Sequence, residues 1–351
     1  MNTRDEAVAA EPATTDRAEP LERFAQADAA REQVETWAYG AQIMALLTTL
    51  CDRGWTRFLR QPRDLAVLAD FAGLPPARLT DVLAVLESHG IVEQQIGTVR
   101  LTPSFEALAA EDAWIGLDDL LDRSELMSRL TRTAVEEPGP LPLTEPDALV
   151  VARAAGGAAG DVTKTLYEQT LLPQLPELTD IVKMDKWLDV GCGVACATLT
   201  MASLLPHFEA VAIELVPTVA AETSRRAEAQ GVTDRVDIRV MDARDLDEPD
   251  AFGGAFWAQP FFPEQTRAAT LAMLLRVVKP GGLLLMQEME PLPEETDRPA
   301  YTLRRLVAQG WGVPFGRTAE QLAEEATAAG FEVERLAPTD FGRFVVARRP
   351  G

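Results

Sequence analysis

The sequence predicts an α/β chain in which a mostly parallel, seven-stranded sheet follows an N-terminal helical region. Three patterns support this prediction. From residue 184 onward, strand-like apolar runs alternate with helical segments, a glycine-rich turn follows the first of those runs, and a helix–turn–helix–strand–turn–strand order precedes them. The 351 residues, of which 47% are hydrophobic, allow two modest domains with buried cores.

The N-terminal part of the chain begins with a segment that lacks the apolar residues of a core. Residues 1–28 are small, polar and acidic, so we expect a disordered tail. Residues 29–110 hold a helix with an apolar stripe, then two shorter helices, the second ended by Gly90, and two short strands around Gly97. This order predicts a helical, winged-helix-like domain over 29–110. Residues 111–175 are mostly helical in pattern, and we interpret them as a linker and cap.

Residues 176–351 alternate between apolar runs of strand length and helical periodicity, which predicts a doubly wound, Rossmann-like sheet. The predicted strands are Trp187–Val190, Ala210–Leu215, Val236–Met241, Gly254–Ala258, Leu283–Gln287, Phe331–Leu336 and Arg343–Ala347. Only a few residues around Pro338 join the last two strands, so we expect the last strand to run antiparallel to its neighbour.

The negative charge of the chain argues against nucleic acid as a partner. The formal net charge is -22, from 55 acidic and 33 basic residues, and such a surface repels the phosphate backbone of nucleic acids. No apolar run is long enough to cross a bilayer and no signal-like segment is present, so we expect a cytoplasmic chain that binds no membrane. The three cysteines and two histidines form neither a disulfide framework nor a metal site in this pattern, so we expect no metal.

A glycine-rich turn follows the first strand of the sheet, in the order Asp189-Val190-Gly191-Cys192-Gly193. Gly191 and Gly193 allow the backbone to turn tightly and to approach a ligand closely. A dinucleotide-binding turn would carry a third glycine where Ala195 stands. Asp189 favours S-adenosylmethionine (SAM) instead, because its carboxylate lies where the ammonium group of the methionine portion is held. SAM is therefore the predicted cofactor.

Carboxylates at the ends of the next two strands support a nucleoside ligand. Glu214 ends the second strand, 21 residues after the second glycine, and can accept hydrogen bonds from both ribose hydroxyls. Asp242 ends the third strand, where it can accept a hydrogen bond from the adenine amine. Leu215 and Ala243, which follow the two acids, and Trp257, near the end of the fourth strand, complete the predicted cofactor site. The alternative is that the acids are solvated strand ends of a generic sheet.

The chain resembles the SAM-dependent methyltransferase superfamily in the order and spacing of four motifs, which are DVGCG, Glu214, MDA and KPGG. The segment from Leu65 to Leu108 is similar to the N-terminal domain of the dimeric small-molecule O-methyltransferases of plants and of bacterial natural-product pathways, and the likeness extends over roughly residues 30–350. The resemblance implies methyl transfer from SAM to a small, aromatic metabolite. It also implies a homodimer formed through residues 29–110, which would then cover the active site rather than bind DNA.

The chain differs from that family at the position where family members carry their general base. Family members carry a histidine after the fourth strand, whereas Gln259 or Pro260 stands there, and neither side chain accepts a proton. Glu288, at the end of the fifth strand, is the first candidate for a replacement base, with Glu264 or Tyr167 behind it. Because a base is missing at the usual place, C- or N-methylation stays open beside O-methylation. We expect neither histidine to be required.

Aromatic side chains cluster around the expected acceptor pocket. Tyr167, Phe261, Phe262 and Trp311 are the predicted substrate contacts, and Gln259 joins Glu288 as a catalytic candidate. The competing interpretation of these rings is ordinary core packing. The competing function is a SAM-binding winged-helix protein without methyl transfer, either a ligand-sensing regulator or an enzyme of another SAM-assisted reaction.

Overall fold

The computed structural model describes residues 20–351, and the chain divides into two compact units, Met1–Trp55 and Thr56–Gly351. The first unit consists mainly of one long helix, α1, over Pro20–Asp52. The predicted tail of residues 1–28 lies in part outside the described residues, and its remainder, 20–28, is helical rather than disordered. Alanine, glutamate and arginine favour helix there, and Arg31 pairs with Asp28 and Glu35 at helical spacing.

Fourteen further helices and ten strands follow along the described chain. The helices are α2 (Trp55–Phe58), α3 (Leu65–Ala72), α4 (Pro76–Ser88), α5 (Pro103–Leu108), α6 (Leu117–Glu136), α7 (Glu145–Gly156), α8 (Asp161–Leu166), α9 (Leu172–Gln174), α10 (Pro176–Met184), α11 (Cys196–Leu204), α12 (Pro217–Ala229), α13 (Glu264–Val277), α14 (Arg298–Gly310) and α15 (Ala319–Ala328). The strands are β1 (Arg63–Asp64), β2 (Val92–Gln95), β3 (Thr98–Leu101), β4 (Trp187–Val190), β5 (Ala210–Glu214), β6 (Val236–Val240), β7 (Phe252–Trp257), β8 (Val278–Gln287), β9 (Glu332–Thr339) and β10 (Gly342–Arg348). None of the helices within residues 20–351 has both the length and the apolar character needed to cross a membrane.

The predicted winged helix is present in the second unit. Its sheet has the order β1-β3-β2 and is antiparallel throughout, and α3 and α4 precede the β2–β3 hairpin. Gly73 ends α3 with a left-handed φ of 62°, a conformation that a residue with a side chain adopts at a cost. Leu68, Leu83 and Val99 are almost wholly buried and form part of its core. The strand β1 was not predicted, because two residues carry no periodicity.

The main sheet has seven strands in the order β6-β5-β4-β7-β8-β10-β9. Every pairing among β6, β5, β4, β7 and β8 is parallel, and β10 runs antiparallel to both β8 and β9, which confirms the predicted fold class. Successive strand residues point to opposite faces, so the sheet has two cores. Trp187 and Leu283 belong to the core with α10 and α11, and Leu188 and Leu284 belong to the core with α13 and α15.

Helices α6, α7 and α14 form a cap beside the sheet. Asp119 pairs with Arg153 and Asp147 pairs with Arg129, so α6 and α7 run antiparallel to each other. On its inner side α6 packs on α14 around Leu130. The sequence predicted the helical character of the cap over residues 111–175, but α14 was not predicted, although its sequence is amphipathic and Tyr301, Val307 and Ala308 are buried.

Candidate active site

The glycine-rich turn after β4 has the tight geometry that its sequence predicts. Gly191 and Gly193 have φ angles of 72° and 55°, and Ala195 is also left-handed with a φ of 51°, a conformation that strains a residue with a Cβ atom. The backbone N–H groups of Gly191 and Cys192 both donate to the carbonyl of Ile213, at 3.0 Å each. The turn is therefore fixed to the end of β5, and α11 begins directly after it.

Glu214 lies against this turn, as the spacing of the two motifs predicts. Its Oε2 accepts a hydrogen bond from the N–H of Gly193 at 3.0 Å, and its Oε1 accepts one from the N–H of Val216 at 2.9 Å. The side chain is largely buried at the carboxyl end of β5. Two backbone donors thus hold the carboxylate in place beside the glycines.

Asp189 is a second, more deeply buried carboxylate at the same edge of the sheet. Only 3% of the residue is exposed, and the hydroxyl of Thr198 donates to its Oδ2 at 2.6 Å. Burial raises the pKa of Asp189 to about 6, the Thr198 hydrogen bond lowers it, and the negative charge of Glu214 raises it further. Within the described residues neither Asp189 nor Glu214 has a cationic partner, so this edge carries uncompensated negative charge.

Asp242 stands at the end of β6 as predicted, but its carboxylate has a partner that was not predicted. Both oxygens accept hydrogen bonds from the guanidinium of Arg244, the closest at 2.6 Å, and Oδ1 also accepts from the Arg244 N–H. This hydrogen bonding lowers the pKa of Asp242. Ala243 is buried and starts a short 3₁₀ turn, whereas Leu215 is exposed. The adenine contacts predicted for these residues stay predictions.

The end of β7 and the segment after it pack on the glycine-rich turn. Trp257 is wholly buried in the core on the α13 side, with the guanidinium of Arg267 4.7 Å from its ring centre, so its ring packs inside rather than facing a ligand. Phe262 meets Trp257 edge to face at 5.4 Å and lies against Gly191, where a Cβ atom would come within 2.7 Å of the ring. Phe261 is exposed.

Gln259 follows β7 and is 2% exposed. Its Nε2 donates to the carbonyl of Gln287 at 3.1 Å, and its own backbone carbonyl accepts from Arg267 at 2.8 Å. The donor side of the amide faces a carbonyl, which fixes its orientation, because the flipped amide would set two oxygens against each other. The remaining oxygen, Oε1, is buried and has no hydrogen-bond partner within residues 20–351.

Glu288 occupies the predicted strand end, but its surroundings do not suit a general base. Its two oxygens accept from Nε and Nη2 of Arg343 at 2.6 and 2.8 Å, and Arg343 also pairs with Glu320. These hydrogen bonds raise the pKa of Arg343 well above its usual range. Both oxygens of the Glu288 carboxylate are occupied by this two-pronged ion pair, so Glu288 joins β8 to β10 rather than standing free for proton transfer.

Three aromatic side chains from separate segments meet near the buried acids. Tyr167 and Trp114 both contact Phe341 edge to face, with ring centres 5.9 and 6.5 Å apart. Burial, reinforced by the nearby Cys196 and Asp189, raises the pKa of Tyr167 well above its usual range. A π-helical turn starts at Tyr167, a feature common at functional sites. The predicted Tyr167 is thus beside the site, whereas Trp114 and Phe341 were missed.

The C-terminal end of α7 packs closely on the glycine-rich turn. A Cβ atom on Gly156 would meet Val194 at 2.6 Å, and one on Gly193 would lie 3.8 Å from Ala152 of α7. The small-residue cluster AAGGAAG is the signal in the sequence for this close approach. Trp311, a predicted substrate contact, packs instead in the cap core beside Val307, and its indole N–H is buried without a partner in the described chain.

Comparison with known proteins finds a family match that covers the residues around this site. Residues 188–282 match the family model described as a methyltransferase domain. The matched range begins within β4 and ends within β8, so it contains the glycine-rich turn, Glu214, Asp242 and Gln259.

Two curated proteins are similar to parts of the chain. The carboxy-S-adenosyl-L-methionine synthase of Chromohalobacter salexigens is 30% identical over 112 residues, which cover 31% of this chain and 42% of that protein. The L-tyrosine C(3)-methyltransferase of Streptomyces lavendulae is 27% identical over 176 residues, which cover 48% of this chain and 46% of that protein. The chain thus spans about half the length of the curated relatives it matches.

A solved structure extends the likeness to almost the whole chain. Human N-acetylserotonin methyltransferase, determined in complex with SAM, superimposes with a TM-score of 0.68 over 92% of this chain and 98% of that chain, at 17% identity. At this level of identity the likeness establishes the fold.

Proposed function

We propose that this chain, which has the fold of the class I SAM-dependent methyltransferases and a methyltransferase domain at residues 188–282, transfers a methyl group from SAM to a small molecule. The observation that carries the proposal is the pair of carboxylates beside the glycine-rich turn. Asp189 is buried with a raised pKa and has no cationic partner among the described residues. Such an environment favours the binding of a positively charged group of a ligand.

The donor set of this edge fits the cofactor. Asp189 would receive the ammonium of the methionine portion and Glu214 the ribose hydroxyls, and the absence of a side chain at Gly193 leaves space beside the Glu214 carboxylate. The cofactor supplies a methyl group on a positively charged sulfur, an electrophile that needs alignment more than activation. The protein's part is then to bind, to orient and to exclude water.

Gln259 is the residue we propose to orient the acceptor. An amide takes no proton, so it does not replace the histidine base, but its unpartnered oxygen can accept a hydrogen bond from an O–H or N–H of the acceptor. Since Glu288 is held by Arg343, no free carboxylate stands at the end of β8 to act as base. This arrangement suits an acceptor that attacks without prior deprotonation, such as an activated aromatic carbon or an amine, and one curated relative is named for C-methylation of a phenol-bearing amino acid.

We further propose that the chain forms a homodimer through α1 and the winged helix. Large apolar side chains are exposed along α1, among them Phe24, Val34, Trp37 and Tyr39, and a soluble monomer rarely leaves such a row uncovered. The winged helix lacks the excess of exposed basic side chains that DNA binding requires. Arg78 is exposed on α4, but so are Asp81 and Glu87, and the whole chain is strongly acidic.

Calorimetric titration with S-adenosylhomocysteine (SAH), the demethylated product, tests the proposed function. We expect wild-type binding and a loss of about 1–3 kcal/mol in Glu214→Gln, because the altered side chain cannot satisfy both backbone donors and the ribose. Glu209→Gln is the matched control, since Glu209 is exposed just before the opposite end of β5. Unchanged SAH affinity in Glu214→Gln would refute the assignment, and absence of SAH binding to wild type would refute the function.

A further inference from the structure

Arg267 is a charged residue on the buried face of α13. It stands four residues before Leu271 and seven before Leu274, so it shares the face of the helix that packs in the core on the α13 side. Only 3% of the residue is exposed, and its guanidinium carbon lies 4.7 Å from the ring centre of Trp257. The helical pattern would give this position to an apolar side chain.

Stability alone does not account for an arginine at this position. Nε and Nη2 of Arg267 both donate to one carboxylate oxygen of Glu325, whose other oxygen lies 3.2 Å from Nε of Arg317. Taking a guanidinium out of water is costly, and apolar side chains of similar volume commonly give equal or greater stability than a buried ion pair. What an apolar side chain could not replace is the remaining donor of the guanidinium.

That donor reaches the turn after β7. Nη1 of Arg267 donates to the backbone carbonyl of Gln259 at 2.8 Å, in a buried contact. The same carbonyl accepts from the N–H of Phe262 at 3.2 Å, and the side-chain Nε2 of Gln259 donates to the carbonyl of Gln287 at 3.1 Å. Gln259 is thus held at its backbone and at one end of its amide, while its Oε1 stays buried and without a partner among residues 20–351.

We propose that Arg267 is a positioning residue of the acceptor site, which fixes the direction in which Gln259 presents its amide oxygen. This inference rests on the proposed function, in which that oxygen accepts a hydrogen bond from the acceptor. The guanidinium is planar and rigid, so two donors on Glu325 and a face on Trp257 leave Nη1 one direction, toward the Gln259 carbonyl. An oxygen held in advance aligns the acceptor with the methyl group of SAM, and alignment is most of what this reaction requires from the protein.

The test follows the side-chain amide of Gln259 by NMR, in protein made with glutamine that carries ¹⁵N in that amide. Gln259→Met assigns the signals, and exchange of the amide protons with water reports how firmly the group is held. We expect exchange to be about tenfold or more faster in Arg267→Met than in wild type, because the lost hydrogen bond joins a charged donor to the turn. The side-chain amide of Gln287, which donates to the carbonyl of Phe341, is the internal reference and should keep its rate.

Two further variants separate positioning from packing. Glu325→Gln is the matched control, because it disturbs the same ion pair but leaves Arg267 to donate to Gln259, so the exchange rate at Gln259 should not change. Arg267→Lys retains a cation for Glu325, yet one ammonium group lacks the fork that serves both partners. It should preserve most of the stability and still accelerate exchange at Gln259 several-fold, which keeps the test decisive if Arg267→Met does not fold.

The inference fails if Arg267 only supports the fold. Equal acceleration at Gln259 in Glu325→Gln, equal acceleration at Gln287, or an unchanged rate at Gln259 in Arg267→Lys would each overturn it.

Calorimetric titration with SAH keeps this result apart from the proposed function. Arg267 has no hydrogen bond or ion pair with Asp189 or Glu214 in the described chain, so SAH should bind Arg267→Lys with wild-type affinity. Weaker binding would place the role of Arg267 at the cofactor and overturn the inference. Absence of SAH binding to wild type would refute the proposed function, whatever the exchange rates at Gln259.

Discussion

At the scale of single residues, Asp189 is a proposed cofactor-binding group whose burial lowers the free energy of unfolding at neutral pH. Its pKa is about 6 in the folded chain against an ordinary value of 3.8, so the folded state favours the protonated form. The contribution of the Asp189 carboxyl to the free energy of unfolding is therefore largest below pH 3.8. It decreases as the pH rises, and it is lost once the pH has passed 6. The difference between the two pKa values corresponds to a decrease in the free energy of unfolding on the order of 3 kcal/mol at neutral pH.

Asp189→Asn should therefore stabilise the ligand-free protein at pH 8 by up to about 3 kcal/mol and have little effect near pH 4. The same variant should bind SAH more weakly, because the amide does not attract an ammonium group. Denaturant unfolding across pH measures the first effect, and calorimetry measures the second. Asp81→Asn, on the exposed side of α4, is the control. A variant that is less stable than wild type at pH 8 would contradict the assigned burial effect.

Glu288 and Arg343 allow a structural role to be separated from a catalytic one. Arg343→Met should cost about 3–5 kcal/mol, because it leaves the Glu288 carboxylate buried without its partner. The double variant Glu288→Leu with Arg343→Met should recover most of that loss. Arg348→Met, which removes a more exposed pair with Glu334, should cost at most about 1 kcal/mol.

Equilibrium unfolding in denaturant gives these free energies. The catalytic alternative predicts the reverse pattern for Glu288→Gln, with unchanged stability and a loss of turnover of about 100-fold or more. Finding that pattern would restore Glu288 as a base.

The site residues divide into those the sequence could predict and those it could not. Asp189 and Glu214 were predictable, because acids at the carboxyl ends of neighbouring parallel strands must share one edge of the sheet. The partner of Glu288 was not, since Arg343 stands 55 residues away and meets it only through strand register. The burial of Trp257 depends in the same way on which face of β7 it occupies.

At the scale of elements, the contact between the α7–α8 loop and Trp114 is sensitive to the addition of a single methyl group. Gly157 has a φ of 72°, and an added Cβ atom would overlap the Trp114 ring. Gly157→Ala should lower the free energy of unfolding by about 2–5 kcal/mol, from backbone strain of about 1–2 kcal/mol and overpacking of about 1–3 kcal/mol. Gly139→Ala is the control, because nothing lies within 4 Å of its Cβ position. Equal unfolding midpoints for the two variants would contradict the close packing.

Elements were predictable in proportion to their periodicity. The limits of β4 were predicted residue for residue, because an apolar run that ends at a glycine-rich turn marks them. The position of β1 was not predictable, since it is two residues long. The amphipathic sequence of α14 did carry a helical signal, although no helix was predicted there.

At the scale of the whole molecule, the exposed apolar row on α1 predicts self-association. We expect sedimentation to give twice the 38.2 kDa chain mass, since a stable dimer of this kind would bury more than about 2,000 Å². Trp37→Glu should shift the equilibrium toward monomer. Thr36→Glu, which points about 100° away from Trp37 on the same helix, should have the smaller effect. A wild-type monomer at micromolar concentration would exclude the proposed dimer.

The position of β10 between β8 and β9 also bears on how the chain is made. On the ribosome β9 emerges first, yet its only sheet neighbour is β10, which is translated after it. A nascent chain halted at Thr339 would therefore carry β8 with an open edge and β9 with nothing to pair with, and such edges invite aggregation. Completion of the sheet thus waits for the residues up to Arg348 to clear the exit tunnel, and slow translation of this stretch would prolong the vulnerable state.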